Sequence, residues 1–232
     1  MEALISYYDM RITLKTLIIL TLISMTFACN TRKEQHKTPE FSSSETSLKN
    51  QYSVDPSAIT IRWTAYKFTT RVGVSGTFTK ATFQNKNSIG TVDALLKESR
   101  LRIPTASVYS NNEIRDPKLR DVFFKTLDTH EIIGNIKTAK DSRGKVSIRM
   151  NSLDNEVPYS YSIEKDTLLI KTHVDISDWN GNIAIQKLNE ACDELHKGAD
   201  GLSKLWPDVQ IDIKIPLIEV SKEVNSIGKQ AQ

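Results

Sequence analysis

The fold is decided by the segment Val209-Gln210-Ile211-Asp212-Ile213-Lys214-Ile215-Pro216-Leu217, which lies near the end of the chain. Aliphatic residues occupy every odd position of this segment, and the positions between them are mostly polar. Successive residues of a β-strand point to opposite faces of a sheet, so the segment predicts a strand with one dry face and one wet face. Such a strand needs neighbouring strands that bury the same dry face.

Similar alternation recurs from residue 58 onward, between turn-forming residues. The apolar positions are Ile59, Ile61, Trp63 and Ala65; Val92, Ala94 and Leu96; Leu101 and Ile103; Ile132, Ile133 and Ile136; Val146, Ile148 and Met150; Val157, Tyr159, Tyr161 and Ile163; and Leu168, Ile170, Thr172, Val174 and Ile176. After Ala65 the pattern changes parity at Tyr66 and Phe68, which predicts a bulge or a strand buried on both faces. Roughly eight closely spaced strands predict an antiparallel sandwich or barrel.

Two helices interrupt this β pattern. Asp116 is predicted to cap a helix opened by Pro117. The apolar face of this helix is expected to carry Leu119, Val122, Phe123 and Thr126. A second, longer helix is predicted over residues 182–197, with Leu188, Ala191, Cys192 and Leu195 on its buried face. This helix is expected to pack over one end of a barrel, with Cys192 as a packed apolar side chain.

The bulk composition indicates one globular domain with its own core. The chain has 232 residues, of which 39% are hydrophobic and 25% charged, and its formal net charge is +3. Charges of both signs are interspersed, whereas nucleic-acid-binding proteins usually cluster Lys and Arg, so the composition argues against nucleic acid as a partner. Cys29 and Cys192 lie in very different contexts, and no disulfide between them is predicted.

The N-terminus predicts export. Arg11 and Lys15 precede a short apolar segment over residues 16–25, which is too short to span a bilayer comfortably because that requires about 20 apolar residues. Residues 1–28 are therefore predicted to be a signal peptide, although residues 1–9 precede it unusually and Met10 is an alternative start. The segment Thr26-Phe27-Ala28-Cys29 resembles a lipobox, which predicts lipidation of Cys29; Thr26 departs from the usual Leu. A plain secretory signal is the alternative.

The predicted domain organisation follows from these segments. Residues 29–52 are polar and rich in turn formers, which predicts a flexible tether. Residues 53–221 form the predicted β-domain, and residues 222–232 a disordered tail. The expected location is the bacterial cell envelope, with the protein anchored to a membrane by its lipidated N-terminus and facing the periplasm.

Four segments carry a resemblance to a known family. They are Trp63-Thr64-Ala65-Tyr66-Lys67-Phe68, Gly73-Val74-Ser75-Gly76-Thr77-Phe78, Asn112-Glu113-Ile114-Arg115-Asp116-Pro117-Lys118-Leu119-Arg120-Asp121-Val122-Phe123-Phe124 and Trp206-Pro207-Asp208-Val209-Gln210-Ile211. Together they resemble the YceI-like family of polyisoprenoid-binding or lipid-binding proteins. Thr69-Thr70-Arg71 departs from the His-Leu-Gly-like turn of many members. The long segment before the last strand is similar to a subgroup that often consists of lipoproteins.

The resemblance implies a lipocalin-like antiparallel barrel with a long apolar tunnel, ligands such as isoprenoid lipids or quinones, and no catalytic residues. No cofactor is expected beyond such a bound lipid. A tunnel for a long tail is lined by aliphatic and aromatic side chains. The candidate lining residues are Ile61, Trp63, Phe68, Phe78, Val92, Leu101, Phe123, Phe124, Tyr159, Tyr161, Ile170, Val174 and Trp179. The hydroxyls of Tyr159 and Tyr161 either contact a lipid head group or pair with the backbone.

Enzyme readings find little support in the sequence. The four histidines are scattered, and the pair His173 and Asp175 is expected on a solvated strand face rather than at a metal. Cys192 and His196 are neighbours on one predicted helix, but a thiol nucleophile also needs an orienting group and an oxyanion hole. No phosphate-binding loop is present in the sequence. The protein is therefore predicted not to be an enzyme.

Three functions follow from these patterns. The first is noncovalent binding or carriage of a long apolar lipid inside a barrel. The second is an adaptor lipoprotein with a solidly packed barrel whose outer surface binds a protein partner of unknown identity. The third is chemistry at Cys192, which requires an accessible, reactive thiol. An apolar tunnel supports the first function, whereas a filled core with an exposed apolar patch supports the second.

Overall fold

The structure is a computed structural model that describes residues 50–220. Its strands are β1 Tyr52–Val54, β2 Thr60–Lys67, β3 Val72–Phe78, β4 Thr82–Gln84, β5 Arg100–Pro104, β6 Val108–Tyr109, β7 Glu131–Lys140, β8 Arg143–Met150, β9 Leu153–Glu164, β10 Thr167–Asp175 and β11 Leu205–Glu219. Its helices are α1 Val92–Leu96, α2 Arg115–Lys118, α3 Asn182–Ala191 and α4 Asp193–His196. The predicted signal peptide, Cys29, most of the predicted tether and the predicted tail lie outside the described residues.

All strands pair antiparallel in one curled sheet. The strand order is β4-β5-β7-β8-β9-β10-β11-β2-β3-β6, and β1 adds to the end of β11. The predicted mainly antiparallel β fold is therefore confirmed. Three of the described strands, β1, β4 and β6, have only two or three residues each, which leaves eight longer strands. This number agrees with the roughly eight strands predicted, although one predicted segment, residues 92–96, is not a strand.

One continuous segment brings the two ends of the sheet together. β5 pairs with β7, β6 pairs with β3, and a single 3-10 turn, Thr105–Ser107, joins β5 to β6. The segment from β5 to β6 is thus hydrogen-bonded to β7 near one end of the strand order and to β3 at the other end. The join to β3 is short, with the two register pairs Thr77↔Tyr109 and Phe78↔Val108. We call this short join the seam.

The long strand β11 is central to the sheet. It pairs with β10 from Asp208 to Pro216, with β2 on its other side, and with β1 near its end. The predicted irregularity near Ala65 is found in β11, the strand that pairs with this part of β2. The register between β11 and β2 shifts between Leu205 and Val209, whereas β2 pairs regularly with β3.

Gly76 lets two parts of the sheet approach each other closely. An added Cβ at this position would meet the indole ring of Trp63 and lie 2.6 Å from the carbonyl oxygen of Tyr109. A glycine is therefore required where the Trp63 ring lies across β3 next to the seam.

The predicted strand at Val92, Ala94 and Leu96 is wrong. These residues form α1, where the Thr91 side chain accepts a hydrogen bond from the Ala94 amide and caps the helix. Val92, Leu95 and Leu96 are buried, which is the i, i+3, i+4 pattern of one helix face.

The prediction that Asp116 caps the first of the two predicted helices is also wrong. The helix α2 begins at Arg115, one residue before Asp116, and continues as a π-helix over Leu119–Phe124. Asn112 fills the capping role, because its Oδ1 accepts hydrogen bonds from the amides of Ile114 and Arg115. Asp116 is buried and instead accepts hydrogen bonds from the amide and hydroxyl of Ser110.

The predicted helix over residues 182–197 is interrupted. Its two parts, α3 and α4, meet at Cys192, whose φ of −123° is not helical. The buried residues of this segment are Ala184, Leu188 and Cys192, whereas Ala191 and Leu195 are exposed. α3 packs against the π-helical segment and β11, so it covers one end of the sheet as expected. None of the helices in residues 50–220 combines the length and apolar character needed to cross a membrane.

Candidate functional site: an apolar cavity inside the curled sheet

The curled sheet encloses a cavity of about 190 Å³. Its wall is built from inward-facing side chains of β2 to β11, together with residues from the helical segments. No Lys, Arg, His, Asp or Glu side chain of the described residues lines it. A wall of this kind is suited to an apolar ligand, because burying apolar surface contributes about 25 cal/mol per Å².

The alternation of β11 shapes one long side of this cavity. Val209, Ile211, Ile213 and Ile215 line it, while Lys214 on the other face of the strand is exposed. The four lining residues extend along the strand for about 20 Å, at ~3.3 Å per residue. This side of the cavity is therefore long enough to accompany a chain-like ligand.

Aromatic side chains close the cavity on the side of the helices. Phe123 and Phe124 come from the π-helical segment, and their rings meet edge to face with centroids 5.1 Å apart. Phe124 also contacts Phe78 on β3, with ring centroids 6.3 Å apart. Ile185 and Leu188 of α3 complete this part of the wall.

The structure places nine of the thirteen predicted lining residues at the cavity wall. They are Ile61, Trp63, Phe78, Leu101, Phe123, Phe124, Tyr159, Ile170 and Val174. The sequence pattern selects them because they lie on the dry faces of strands or beside the helix that covers the sheet. Their contact with a ligand stays a prediction.

The other four predicted residues, Phe68, Val92, Tyr161 and Trp179, do not line the cavity. Phe68 adopts a left-handed φ of 62° at the turn after β2, and its ring lies 4.4 Å from the Lys67 ammonium group. Val92 is buried in α1. Trp179 is fully buried on the 3-10 turn Ile176–Trp179 and donates a hydrogen bond to the carbonyl oxygen of Ile148.

The two tyrosine hydroxyls are both used within the protein. Tyr159 donates a hydrogen bond to the carbonyl oxygen of Thr138, and Tyr161 donates one to the Asp93 carboxylate at 2.6 Å. Burial raises the pKa of both phenols well above the usual value, and the nearby Asp93 carboxylate raises it further. Tyr159 therefore pairs with the backbone, and Tyr161 ties β9 to α1, so the proton of each hydroxyl is already used within the protein.

Sequence reasoning missed Ser99, a polar residue of the wall. Ser99 lies between α1 and β5, is 1% exposed, and lines the cavity. Among the described residues its Oγ has no hydrogen-bond partner. A single serine before a strand carries no sequence pattern that would have marked it.

A smaller pocket of about 60 Å³ adjoins the main cavity and shares several wall residues with it, including Trp63, Leu119 and Leu188. Lys67, Arg115 and His196 also line this pocket. Burial, together with the charges of Lys67 and Lys118, lowers the pKa of His196 to about 4. The imidazole is therefore neutral at pH 7, and its Nδ1 lies 2.9 Å from Oδ1 of Asn189.

The alternative chemical sites gain no support from the geometry. Cys192 is 6% exposed and packed at the break between α3 and α4, and chemistry at a thiol requires an accessible one. His173 lies on the exposed face of β10. Within residues 50–220, no group of three or more His, Cys, Asp or Glu side chains is arranged to hold a metal ion.

Together, the curled antiparallel sheet and its apolar interior define a lipocalin-like fold. The chain belongs to the YceI-like domain family, whose family model matches residues 52–217. This is a family of binding proteins, and the predicted family resemblance is confirmed.

Two solved structures are similar to this chain. A polyisoprenoid binding domain from Saccharophagus degradans, implicated in plant cell wall breakdown, is 15% identical with a TM-score of 0.49, and the likeness covers 74% of this chain and 100% of that chain. BcnA from Burkholderia cenocepacia is 13% identical with a TM-score of 0.48, over 71% of this chain and 99% of that chain. No curated protein matches the sequence.

Proposed function

We propose that this protein binds or carries a long apolar lipid, such as an isoprenoid or a quinone, noncovalently inside its curled sheet. The observation that carries the proposal is the enclosed cavity with an uncharged, almost wholly apolar wall. Membership of the YceI-like family supports an apolar ligand as well. Binding would gain its free energy mainly from the removal of the lipid tail from water.

The alternative, an adaptor with a solidly packed barrel, is less well supported. That function predicts a filled interior, because tight packing leaves few voids larger than a water molecule. The cavity of about 190 Å³ is larger than such a void. The exposed large hydrophobic residues, such as Val72, Ile89 and Ile183, belong to different elements, and single exposed apolar residues are ordinary on protein surfaces.

Export and membrane anchoring are part of the proposal and rest on the sequence alone. The short apolar segment and the cysteine of Thr26-Phe27-Ala28-Cys29 support a lipoprotein signal. Two or more acyl chains on Cys29 would hold the domain at a membrane, because each buried CH₂ contributes about 0.8 kcal/mol. The polar segment after Cys29 would then separate the folded domain from the bilayer.

The anchoring proposal predicts that the full-length chain incorporates labelled palmitate and sediments with membranes. The Cys29→Ser variant should lose both properties, because the thiol that accepts the acyl chain is gone. Cys192→Ser is the matched control and should keep both, since Cys192 is buried in the folded domain. Equal labelling of the Cys29→Ser variant and the unchanged protein would contradict lipidation at this site.

The lipid-binding proposal predicts that mass spectrometry of a mild organic extract of the purified protein finds a stoichiometric isoprenoid or fatty acyl species. Ile211→Trp should reduce this lipid by about tenfold or more, because a larger ring at the cavity wall occupies the volume that the tail needs. Lys214→Trp, on the exposed face of the same strand, should leave it unchanged.

Circular dichroism and urea unfolding establish that both tryptophan variants are folded. A clean extract from the unchanged protein, together with no uptake of added quinone or polyprenyl lipid, would reject the carrier function and favour the adaptor. Equal lipid content in the two folded variants would show that the lipid lies elsewhere than in the cavity.

A further inference from the structure

The backbone at Ser99 is fixed on both sides. Its amide donates a hydrogen bond to the carbonyl oxygen of Leu96 at 2.9 Å, and its carbonyl oxygen accepts one from the Ile136 amide at 2.9 Å. Ser99 is therefore held between the end of α1 and strand β7, and its buried side chain lies at the cavity wall.

Ser99 differs from every other polar side chain of this wall. Thr172, Tyr159, Trp63 and Trp206 each donate a hydrogen bond to a backbone carbonyl oxygen, at distances of 2.8, 2.9, 3.3 and 2.7 Å. The protein thus satisfies four of the five polar groups by itself. The Oγ of Ser99 has no partner among the described residues.

A buried hydroxyl without a partner is destabilising, because it has lost its hydrogen bonds to water without replacement. An ordered water molecule needs two to four polar partners. The lining residues near Ser99 in the sequence and in the sheet, such as Leu96, Leu101 and Ile136, are aliphatic. An acceptor atom on a bound molecule satisfies the hydroxyl without requiring further polar neighbours.

We propose that the Ser99 hydroxyl donates a hydrogen bond to a neutral carbonyl oxygen of the bound lipid, so that the lipid's head group is held inside the cavity. This inference rests on the proposed lipid-binding function and adds the chemical class of the head group. A neutral head is required because the cavity wall contains no charged side chain to compensate a buried phosphate or carboxylate. A quinone with a long isoprenoid tail has this chemistry.

The test compares two lipids on three forms of the full chain. The probes are a long-tailed benzoquinone and squalene, an isoprenoid hydrocarbon without oxygen. The unchanged protein should bind the quinone more tightly than squalene. Ser99→Ala should lower the quinone-to-squalene ratio of affinities by about threefold to tenfold, since a neutral hydrogen bond contributes modestly to binding. Ser160→Ala, the matched control, should leave the ratio unchanged, because Ser160 is exposed on β9 and does not line the cavity.

The outcomes separate this inference from the proposed function. Binding of both lipids with the same ratio in Ser99→Ala overturns the inference and leaves the carrier function intact, whereas binding of neither lipid by the unchanged protein overturns both. Tighter binding of a polyprenyl phosphate than of the quinone overturns the neutral head group. Infrared spectroscopy of the quinone bound to the unchanged protein is a second test that needs no variant. A quinone carbonyl band shifted to lower frequency supports the hydrogen bond from Ser99, and an unshifted band overturns the inference.

Discussion

At the scale of single residues, His196 shows how position within the fold sets the ionisation of a side chain. Its ring is half-buried between the helices and β2, and the Lys67 and Lys118 ammonium groups are near enough to disfavour a second positive charge. Both ammonium groups are held in place, because Lys67 donates a hydrogen bond to the carbonyl oxygen of Leu195 and Lys118 donates one to that of Ala191. Only Asp193 favours the charged imidazole.

We expect the protein to lose stability as the pH falls from about 6.5 towards 4. The folded state keeps His196 neutral down to a pKa of about 4, whereas the unfolded chain takes up the proton near the ordinary histidine value, so protons favour unfolding in this window. Urea unfolding midpoints at several pH values measure the effect. His196→Gln should show a smaller loss over this range.

His173→Gln is the control for this measurement, because His173 is exposed on β10 and should leave the pH dependence unchanged. An equally steep loss in His196→Gln and in the unchanged protein would show that other groups take up the protons.

Individual wall residues were partly predictable from the sequence. Ile170 and Val174 follow from alternation along a strand, which fixes the face that a side chain occupies. Alternation does not say how far along that face the cavity extends, so Tyr161 was predicted at the wall but contacts Asp93 instead. The sequence also cannot show that Ser99 lacks a partner, since hydrogen bonding depends on side chains brought together only by folding.

At the scale of secondary structure, long elements were predicted more reliably than short ones. β10 and β11 have enough residues for their alternation to exclude a helix. The five residues of α1 do not, because Val92, Ala94 and Leu96 fit a strand while Val92, Leu95 and Leu96 fit a helix. The capping side chain of Thr91 was the sequence signal that favours the helix.

The segment before β11 was predicted as one helix and consists of two. The apolar spacing of Leu188, Cys192 and Leu195 is compatible with an uninterrupted helix, but the backbone leaves helical geometry at Cys192. Leu195 consequently points away from the core and is 55% exposed. No glycine or proline marks this break, so it is set by the way α3 and α4 pack onto the sheet rather than by a local signal.

At the scale of the whole molecule, the weakest join of the sheet is the seam between β3 and β6. Its two register pairs compare with nine between β10 and β11. Local opening needs less free energy where fewer contacts must be broken. The seam is therefore expected to open more often than the rest of the sheet.

Hydrogen exchange tests this expectation. The amide of Thr79, which donates to the carbonyl oxygen of Ser107 beside the seam, should exchange at least about tenfold faster than central amides of β10 such as that of Ile170. Rates are compared after correction for the intrinsic exchange of each amide. Equal protection of the two amides would show that the sheet opens only as a unit.

The position of β11 determines when, during synthesis of the chain, the cavity can form. This strand supplies six residues of the cavity wall and joins β10 to β2, yet it is the last strand along the described sequence. Its pairing of Ile213 with Ile61 connects residues about 150 positions apart, a contact that can form only after β11 has left the ribosome. A nascent chain therefore has no enclosed interior, and the lipid binding that we propose can begin only when synthesis of the domain is complete.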